Sequence, residues 1–327
     1  MEVEDRAELC FPQFPNTSCI KPLSPWPPTV TIMLYSISPI TVILNLLIII
    51  SISHFRQLHT PTNILLLSLA VSDLLVGLLL MPGEIFRATS CWFLGDLVCA
   101  TYFLLTSIIT VCSIGAIVLI SADRYVAICD PLHYTTKVTA RRVKFCVCLC
   151  WLCSFTYSLL YVKDLPTQTK RNEYCYGACF LMSDSISLFI DLLLNFIFPV
   201  TVIIALYLRI FAVAVSQARA MRSHITAVTL QHSVTPKAKK SELKAARNLG
   251  VLVLVFLICI CPVYIVTWVD YNWIIELFYS FSIILFFFNS CLNPVIYAFL
   301  YPWFRKAVKL IVTLQILQPG SSETNML

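Results

Sequence analysis

The chain has 327 residues, of which 59% are hydrophobic and only 12% are charged. Soluble domains carry roughly 25% charged residues, so a surface with so little charge does not face water. The composition therefore excludes a soluble enzyme and a disordered chain, and the glycine count of 7 argues against Gly-rich nucleotide loops. The sequence predicts an all-α membrane protein with several spans.

Seven apolar stretches are each long enough to cross a bilayer as a helix. They lie near residues 30–53, 63–85, 98–122, 144–162, 186–212, 246–269 and 275–298. The segments after spans 1, 3, 5 and 7 hold 17 of the 23 Lys and Arg residues. Because positive charge concentrates on the cytoplasmic side, the N-terminus is predicted to be extracellular and the C-terminus cytoplasmic.

The chain divides into three predicted parts. Residues 1–29 form an extracellular tail, in which Asn16-Thr17-Ser18 is a glycosylation sequon. Residues 30–300 form a seven-transmembrane helix bundle. Residues 301–327 begin with an amphipathic stretch to Leu314, predicted to lie along the inner leaflet in contact with membrane lipid, and end in a cytoplasmic tail.

Six of the 15 cysteines fall on the predicted outer side. An even number of cysteines in an oxidising compartment predicts disulfides. Six cysteines allow 15 connectivities, and the spacing alone leaves the choice open. The six are Cys10, Cys19, Cys91, Cys99, Cys175 and Cys179.

Asp73 lies in the middle of span 2. A charge at the bilayer centre costs at least about 2.5–3.5 kcal/mol, so a carboxylate there is a functional candidate. Polar residues of other spans, among them Asn45, Ser113 and Asn289, can complete a polar core that holds a small cation such as allosteric sodium. Plain hydrogen bonding between helices remains an equally open alternative.

Asp123-Arg124-Tyr125 closes span 3 at the cytoplasmic edge, and Glu242 lies at the inner start of span 6. An arginine in this position can pair with Asp123 and reach Glu242. Such a pair joins two helices and breaks when they separate, which makes a two-state switch. The alternative is an interfacial arginine that extends toward water.

Motifs in all seven spans together resemble the class A, or rhodopsin-like, G-protein-coupled receptors. They are Asn45, Leu69-Ala70-Val71-Ser72-Asp73, Asp123-Arg124-Tyr125, Trp151, Pro199, Tyr207, Pro262 and Asn293-Pro294-Val295-Ile296-Tyr297. The stretch from Asn289 to Phe304 and the outer pattern Cys175-Tyr176-Gly177-Ala178-Cys179 are similar to the trace amine-associated receptors, which are mostly olfactory receptors for volatile amines.

The resemblance implies a disulfide between Cys99 and Cys179. It also implies that Cys10 or Cys19 joins Cys175, and that a third bond uses Cys91. For the cytoplasmic side it implies an inner switch of Tyr207, Asn293 and Tyr297, with Pro294 in the same motif, and a stimulatory G protein that raises cyclic AMP.

Three positions depart from the pattern of amine receptors. Thr106 stands where they usually carry the ammonium-binding Asp, Ile260 replaces a Trp, and Phe287 replaces an aromatic hydroxyl. Asp191 offers another partner, because it lies eight residues before Pro199, about 12 Å toward the outside at 1.5 Å per residue.

Two polar stripes accompany Asp191. Ser187 and Asn195 flank it at four-residue spacing on span 5, and Thr106, Thr110 and Ser113 form a stripe on span 3. Aromatic residues are predicted to wall the site for cation–π contacts. They are Phe196, Tyr264, Trp268, Phe286 and Phe287.

A lone buried carboxylate needs a cation or a proton, and the sequence suggests that the cation is the ligand. This arrangement resembles a subgroup of teleost trace amine receptors that lack the span 3 Asp and keep one in span 5. The alternative is a protonated, structural Asp191 bonded to Thr106 or Asn195.

The sequence thus predicts a plasma-membrane receptor for an organic amine, coupled to a stimulatory heterotrimeric G protein. It predicts no enzyme activity, cofactor, metal centre or nucleic-acid partner. A receptor of the same fold for a neutral hydrophobic ligand is the main alternative. A transporter or channel is a third, although neither inverted repeats nor broken helices are visible.

Overall fold

The structure is a computed structural model that describes residues 9–21, 28–162, 175–180, 185–227, 236–266 and 273–326. For 217–227, 236–249 and 273–277 it describes the backbone alone. A helix lies at each of the seven predicted span positions, and an eighth follows them. The helices are α1 Pro28–His54, α2 Pro61–Thr89, α3 Gly95–Cys129, α4 Ala140–Val162, α5 (consecutive segments Ser185–Asp191, Leu192–Ile197 and Phe198–Ala227), α6 Pro236–Val266, α7 Trp273–Leu300 and α8 Pro302–Val312.

The helices form an antiparallel bundle with an apolar exterior. Within the described residues, α1 to α5 and α7 are long and apolar enough to cross a membrane, and Gly250–Val266 of α6 is a shorter apolar helix. Large apolar side chains such as Phe211 and Phe299 are 68% and 79% exposed. In a bilayer these side chains contact lipid rather than water, so the seven-helix bundle predicted from the sequence is confirmed.

The interior of the bundle has two buried apolar layers. The cytoplasmic layer joins Ile48 of α1, Ile117 of α3 and Phe256 of α6. The outer layer joins Leu34 of α1 and Phe287 of α7. The polar residues considered below lie between and beside these layers.

Two of the helices contain a π-helical segment, and each segment ends two residues before a proline. Val76–Leu80 precedes Pro82 in α2, and Leu192–Ile197 precedes Pro199 in α5. A proline has no N–H to donate, and a widened turn accommodates the missing bond. The segment in α5 begins directly after Asp191, so the bulge helps to set the direction of that carboxylate.

Three disulfides hold the N-terminal tail and the outer loops over the extracellular end of the bundle, and we call this covering the disulfide roof. Their pairings settle the alternatives that the sequence left open. Cys99 joins Cys179, Cys19 joins Cys175, and Cys10 joins Cys91. The N-terminal tail is thereby held against the loop before α5, where the Cys19 N–H donates to the Tyr176 carbonyl at 2.8 Å.

Gly177 lies where the tail and this loop touch. Its φ is +112°, and an added Cβ would come within 2.8 Å of the Cys10 Cβ, so only glycine fits. Asn16 is exposed on the same tail. Its glycosylation remains a prediction.

On the cytoplasmic side, α8 buries Trp303 and Phe304 against the bundle and exposes Arg305. This helix lies within the predicted amphipathic stretch. The following segment then turns back toward the connection between α1 and α2. Met326 is 3% exposed, and its N–H donates to Gln57 Oε1 at 2.9 Å.

Candidate ligand site and cytoplasmic switch

The Asp191 carboxylate lies between α4 and α5. Its Oδ1 accepts hydrogen bonds from Tyr157 Oη at 2.8 Å and from Asn195 Nδ2 at 2.7 Å. Asn195 is buried, whereas Asp191 and Tyr157 are half-buried. Among the described residues, the hydrogen-bond donors to Asp191 are therefore neutral, and neither of them brings a positive charge to the carboxyl group.

Aromatic rings surround this carboxylate. The ring of Phe196 on α5 stacks on Tyr264 of α6 with centroids 4.6 Å apart, and Tyr264 is within electrostatic range of Asp191. On α4 the rings of Tyr157 and Tyr161 stack at 6.0 Å. The wall thus joins α4, α5 and α6, and its two α4 members are absent from the predicted set.

Other predicted site residues have different surroundings. Thr106 Oγ1 donates within α3 to the Tyr102 carbonyl at 2.8 Å. Phe287 is buried in the outer apolar layer beside α1 and α2, and Phe286 meets it edge to face at 5.5 Å. Ser187 is half-buried one turn before Asp191, and Trp268 lies outside the described residues.

Below the carboxylate, toward the cytoplasm, α3, α6 and α7 enclose a cavity of about 20 Å³. That volume holds one water molecule. Thr110 and Ser113 line one side and Asn289 another, while Ile260 stands at the position where the resemblance expects a Trp. The cavity connects the α3 polar stripe to the polar core.

The polar core centres on Asp73, which is 1% exposed. Asn293 Nδ2 donates to Asp73 Oδ2 at 2.7 Å, which joins α2 to α7. Asn45 Nδ2 donates to the Ser290 carbonyl at 3.0 Å, which joins α1 to α7. The predicted members on three helices are therefore brought together.

Several oxygens of this core are buried and have no hydrogen-bond partner within the part of the chain that the structure describes. They are Asn45 Oδ1, Asp73 Oδ1, Ser113 Oγ, Asn289 Oδ1 and Asn293 Oδ1. Buried polar atoms are normally hydrogen-bonded. One carboxylate among neutral oxygens is a donor set that suits a hard monovalent cation with water, so the residues present fit sodium.

At the cytoplasmic edge, Arg124 is held by neighbours on three segments. Its guanidinium pairs with Asp123 and donates to Thr62 Oγ1 at 2.5 Å. Tyr134, in the short helix Tyr134–Lys137, donates to Asp123 Oδ1 at 2.8 Å. Burial, together with the negative charge of Asp123, raises the pKa of Tyr134, so the phenol stays protonated and keeps donating at neutral pH.

The predicted partner Glu242 lies in α6, but its side chain falls outside the described residues. Tyr125 packs against the small apolar cluster of Ile128 and Ile210. In the described part of the chain, the contacts of Arg124 are thus those with α2, α3 and the short helix. Thr62 and Tyr134 are members of the switch that the sequence motif does not reveal.

Three tyrosines lie nearby on α5 and α7, or directly after α7, and of these Tyr297 is buried whereas Tyr207 and Tyr301 are half-buried. The hydroxyls of Tyr207, Tyr297 and Tyr301 are buried and have no hydrogen-bond partner among the described side chains. Tyr207 and Tyr301 are within electrostatic range of Arg124. Pro294 lies inside the continuous helix that carries Tyr297.

A further carboxylate, that of Glu84, lies in the outer part of α2, and Glu84 is 8% exposed. It pairs with Arg87 through two hydrogen bonds, from Nε to Oε2 at 2.9 Å and from Nη2 to Oε1 at 2.6 Å. The sequence pattern singled out Asp73, Asp123 and Asp191 as candidate carboxylates and did not include Glu84. The structure adds this ion pair to the outer end of α2.

Comparison with known proteins completes the description. The family model for the seven-transmembrane receptors of the rhodopsin family matches residues 44–297. The chain is 37% identical to trace amine-associated receptor 13c of Danio rerio, over 98% of this chain and 97% of that one. It is 38% identical to trace amine-associated receptor 7f of Mus musculus, over 98% and 92%. The chain belongs to the trace amine-associated receptors of the rhodopsin family.

Membership in this family of G-protein-coupled receptors confirms several predictions. The receptor is a multi-pass plasma-membrane protein, and its predicted extracellular N-terminus is the usual arrangement of the family. The family is not enzymatic, and membership in it argues against the transporter alternative. The resemblance to the teleost subgroup remains a prediction.

The structure contains contacts between side chains that the sequence did not predict. The contact of Tyr157 was not predicted because its partner lies on another helix, although a tyrosine among the apolar residues of a span already indicates a polar contact. The ion pair of Glu84 and Arg87 was not predicted, because charged residues near the end of a span are usually located at the membrane interface. The three-residue spacing of opposite charges on one helix face was the available clue.

Proposed function

We propose that this receptor binds an organic amine of the volatile, odorant kind and signals through a stimulatory G protein to cyclic AMP. The ammonium pairs with the Asp191 carboxylate. The relatives are named trace amine-associated receptors, which supports the amine. The single observation that carries the choice of Asp191 is its half-buried carboxylate with the neutral donors Tyr157 and Asn195.

A carboxylate shielded from water is costly unless a cation or a proton compensates its charge. Tyr157 and Asn195 orient the carboxylate, but because both are neutral they do not compensate its charge. An ammonium supplies the missing charge, and the stacked rings of Phe196 and Tyr264 offer it aromatic faces. Because Thr106 replaces the usual acid on α3, the ligand is oriented toward α5.

Signalling follows from a shift between two existing states of the bundle. An amine that draws α5 and α6 together at the outer side favours the state in which α6 moves outward at the cytoplasmic side. Arg124 then leaves Asp123 and Thr62 and turns toward Tyr207. The opened groove receives the heterotrimeric G protein, and α8 rests on lipid of the inner leaflet.

The polar core is proposed to bind allosteric sodium. Asp73 supplies the charge, and Ser113 and Asn289 supply neutral oxygens that lack a hydrogen-bond partner among the described residues. Sodium there stabilises the resting arrangement of α2, α3 and α7.

The deciding experiment is a cyclic AMP assay in transfected cells with a panel of monoamines, diamines and aromatic amines. Wild type is compared with Asp191→Asn at matched surface expression. The control is Thr201→Val, which removes an exposed hydroxyl from the same helix. An amine response that survives in Thr201→Val and is lost in Asp191→Asn supports the proposal.

The main alternative is a neutral hydrophobic ligand with a structural Asp191. The observation that favours it is that Tyr157 and Asn195 already hydrogen-bond the carboxyl, as they would for a protonated group. An undiminished response of Asp191→Asn to the best ligand decides for this alternative. The search for ligands then moves to neutral odorants.

A further inference from the structure

The ion pair of Glu84 and Arg87 lies on the extracellular side of the proposed ligand site, and its contacts with α3 and with the loop before α5 fix its position. Tyr102 Oη donates to Glu84 Oε2 at 2.9 Å, and Tyr102 lies one helical turn outward from Thr106. Arg87 Nη1 donates to the Cys179 carbonyl at 3.3 Å. The pair therefore lies one turn outward of the position where amine receptors usually carry their acid, directly beneath the disulfide roof.

The carboxylate of Glu84 is fully engaged within the protein. Both of its oxygens accept bonds from Arg87, and Oε2 also accepts from Tyr102. Its side chain is 10% exposed and that of Arg87 is 24% exposed. A bidentate guanidinium–carboxylate pair is the strongest of such contacts, and its net charge is zero.

Tyr279 of α7 completes the surroundings, because it is within electrostatic range of both Glu84 and Arg87. The cluster thus bridges α2, α3 and α7. A ligand that reaches this end of the site meets a positive charge already matched by a carboxylate. A second ammonium gains no partner here and is repelled by Arg87.

We infer that Arg87 is a specificity-determining residue, which neutralises a second acidic subsite at Glu84 and thereby restricts the receptor to amines with a single ammonium. The inference rests on the proposed function, in which Asp191 holds that ammonium. Removal of Arg87 leaves a buried carboxylate without its cation. Such a group demands a new cation, and the far ammonium of a diamine of suitable length supplies it.

The experiment compares Arg87→Gln with wild type in the cyclic AMP assay, using linear monoamines and the corresponding diamines of matched chain length. In wild type each monoamine is expected to be more potent than its diamine. In Arg87→Gln one diamine is expected to gain about tenfold in potency, since a hydrogen bond to a charged group contributes about that factor. The monoamines keep their potency.

The matched control is the double variant Glu84→Gln with Arg87→Gln, which has neither charge. It retains monoamine responses but shows no diamine gain. Asp191→Asn abolishes responses to both classes in every background. Surface expression is measured throughout, because an unpaired buried carboxylate also lowers stability.

The outcomes separate this inference from the proposed function. A monoamine response that Asp191→Asn abolishes, combined with no diamine gain in Arg87→Gln, overturns the inference alone. Equal potency of matched monoamines and diamines at the wild-type receptor also overturns the inference. This comparison needs no variant at position 87, so it remains decisive if Arg87→Gln folds poorly. Responses that persist in Asp191→Asn overturn the proposed function, and the inference with it.

Discussion

Tyr157 of α4 and Asp191 of α5 are joined by a hydrogen bond of 2.8 Å between the phenol and the carboxylate. This bond links two helices at the depth of the ligand site. It also explains how the carboxylate keeps one orientation although the π-helical segment begins at the next residue. The position of the proposed ammonium partner therefore depends on α4 as well as on α5.

Tyr157→Phe removes this donor and leaves Asn195 as the remaining one. We expect amine potency to fall about three- to tenfold, because a hydrogen bond to a charged group is lost while the carboxylate itself remains. The measurement is the amine concentration for half-maximal cyclic AMP. Thr156→Val, which alters an exposed hydroxyl on the neighbouring position, serves as the control, and equal effects of the two variants would contradict the orienting role.

Tyr134→Phe removes the hydrogen bond to Asp123 Oδ1 and weakens the arrangement that holds Arg124 in the resting state. A net contribution of about 0.5–1.5 kcal/mol predicts a two- to tenfold rise in ligand-free cyclic AMP. Thr136→Val, on the same short helix and exposed, should leave this level unchanged. A reduced or unchanged basal level in Tyr134→Phe would show that the phenol does not stabilise the resting state.

Asp73→Asn removes the charge of the polar core but preserves its size. We expect agonist potency at wild type to decrease when sodium replaces a bulky organic cation in the medium, and we expect Asp73→Asn to lose this dependence. Ser72→Ala is a strict control, since Ser72 is buried beside Asp73 but bonds to the Leu69 carbonyl of its own helix. Persistent sodium dependence in Asp73→Asn would place the cation elsewhere.

The tail disulfide between Cys10 and Cys91 closes a sequence separation of 81 residues. Loss of a native disulfide typically costs about 2–5 kcal/mol, so Cys10→Ser should reduce the surface expression of the receptor. Because one bond is removed in each case, Cys91→Ser and the double variant should match the single variant. A double variant much worse than either single one would mean that the two cysteines form separate bonds.

Much of the fold follows from composition and charge, because twenty-residue apolar helices are an obligatory solution in lipid. The polar core and the Asp123–Arg124 pair were also predictable, since a charge inside a span is costly and thus conspicuous. Contacts between helices were not. Tyr157 reaches Asp191 only because of the relative rotation of α4 and α5, which depends on packing and on the bulge before Pro199.

The burial of the ion pair between Glu84 and Arg87 could not be predicted from the sequence either. A carboxylate and a guanidinium three residues apart near the end of a span look the same in sequence whether they are solvated or buried. In the folded receptor this pair is covered by the disulfide roof, which the Cys99–Cys179 bond holds against the bundle. Its depth depends on how the outer loops fold back over the bundle, and that information is spread over distant segments.

The three disulfides have all six of their ends between Cys10 and Cys179. The sequence of α5 contains no cysteine, and the cysteines of α6 and α7, which are Cys259, Cys261 and Cys291, are free. The molecule thus consists of a covalently cross-linked half and a half attached only by the chain and by packing. The outward motion proposed for α6 strains no disulfide, and a receptor expressed as two fragments divided between α5 and α6 would be held together by noncovalent contacts alone.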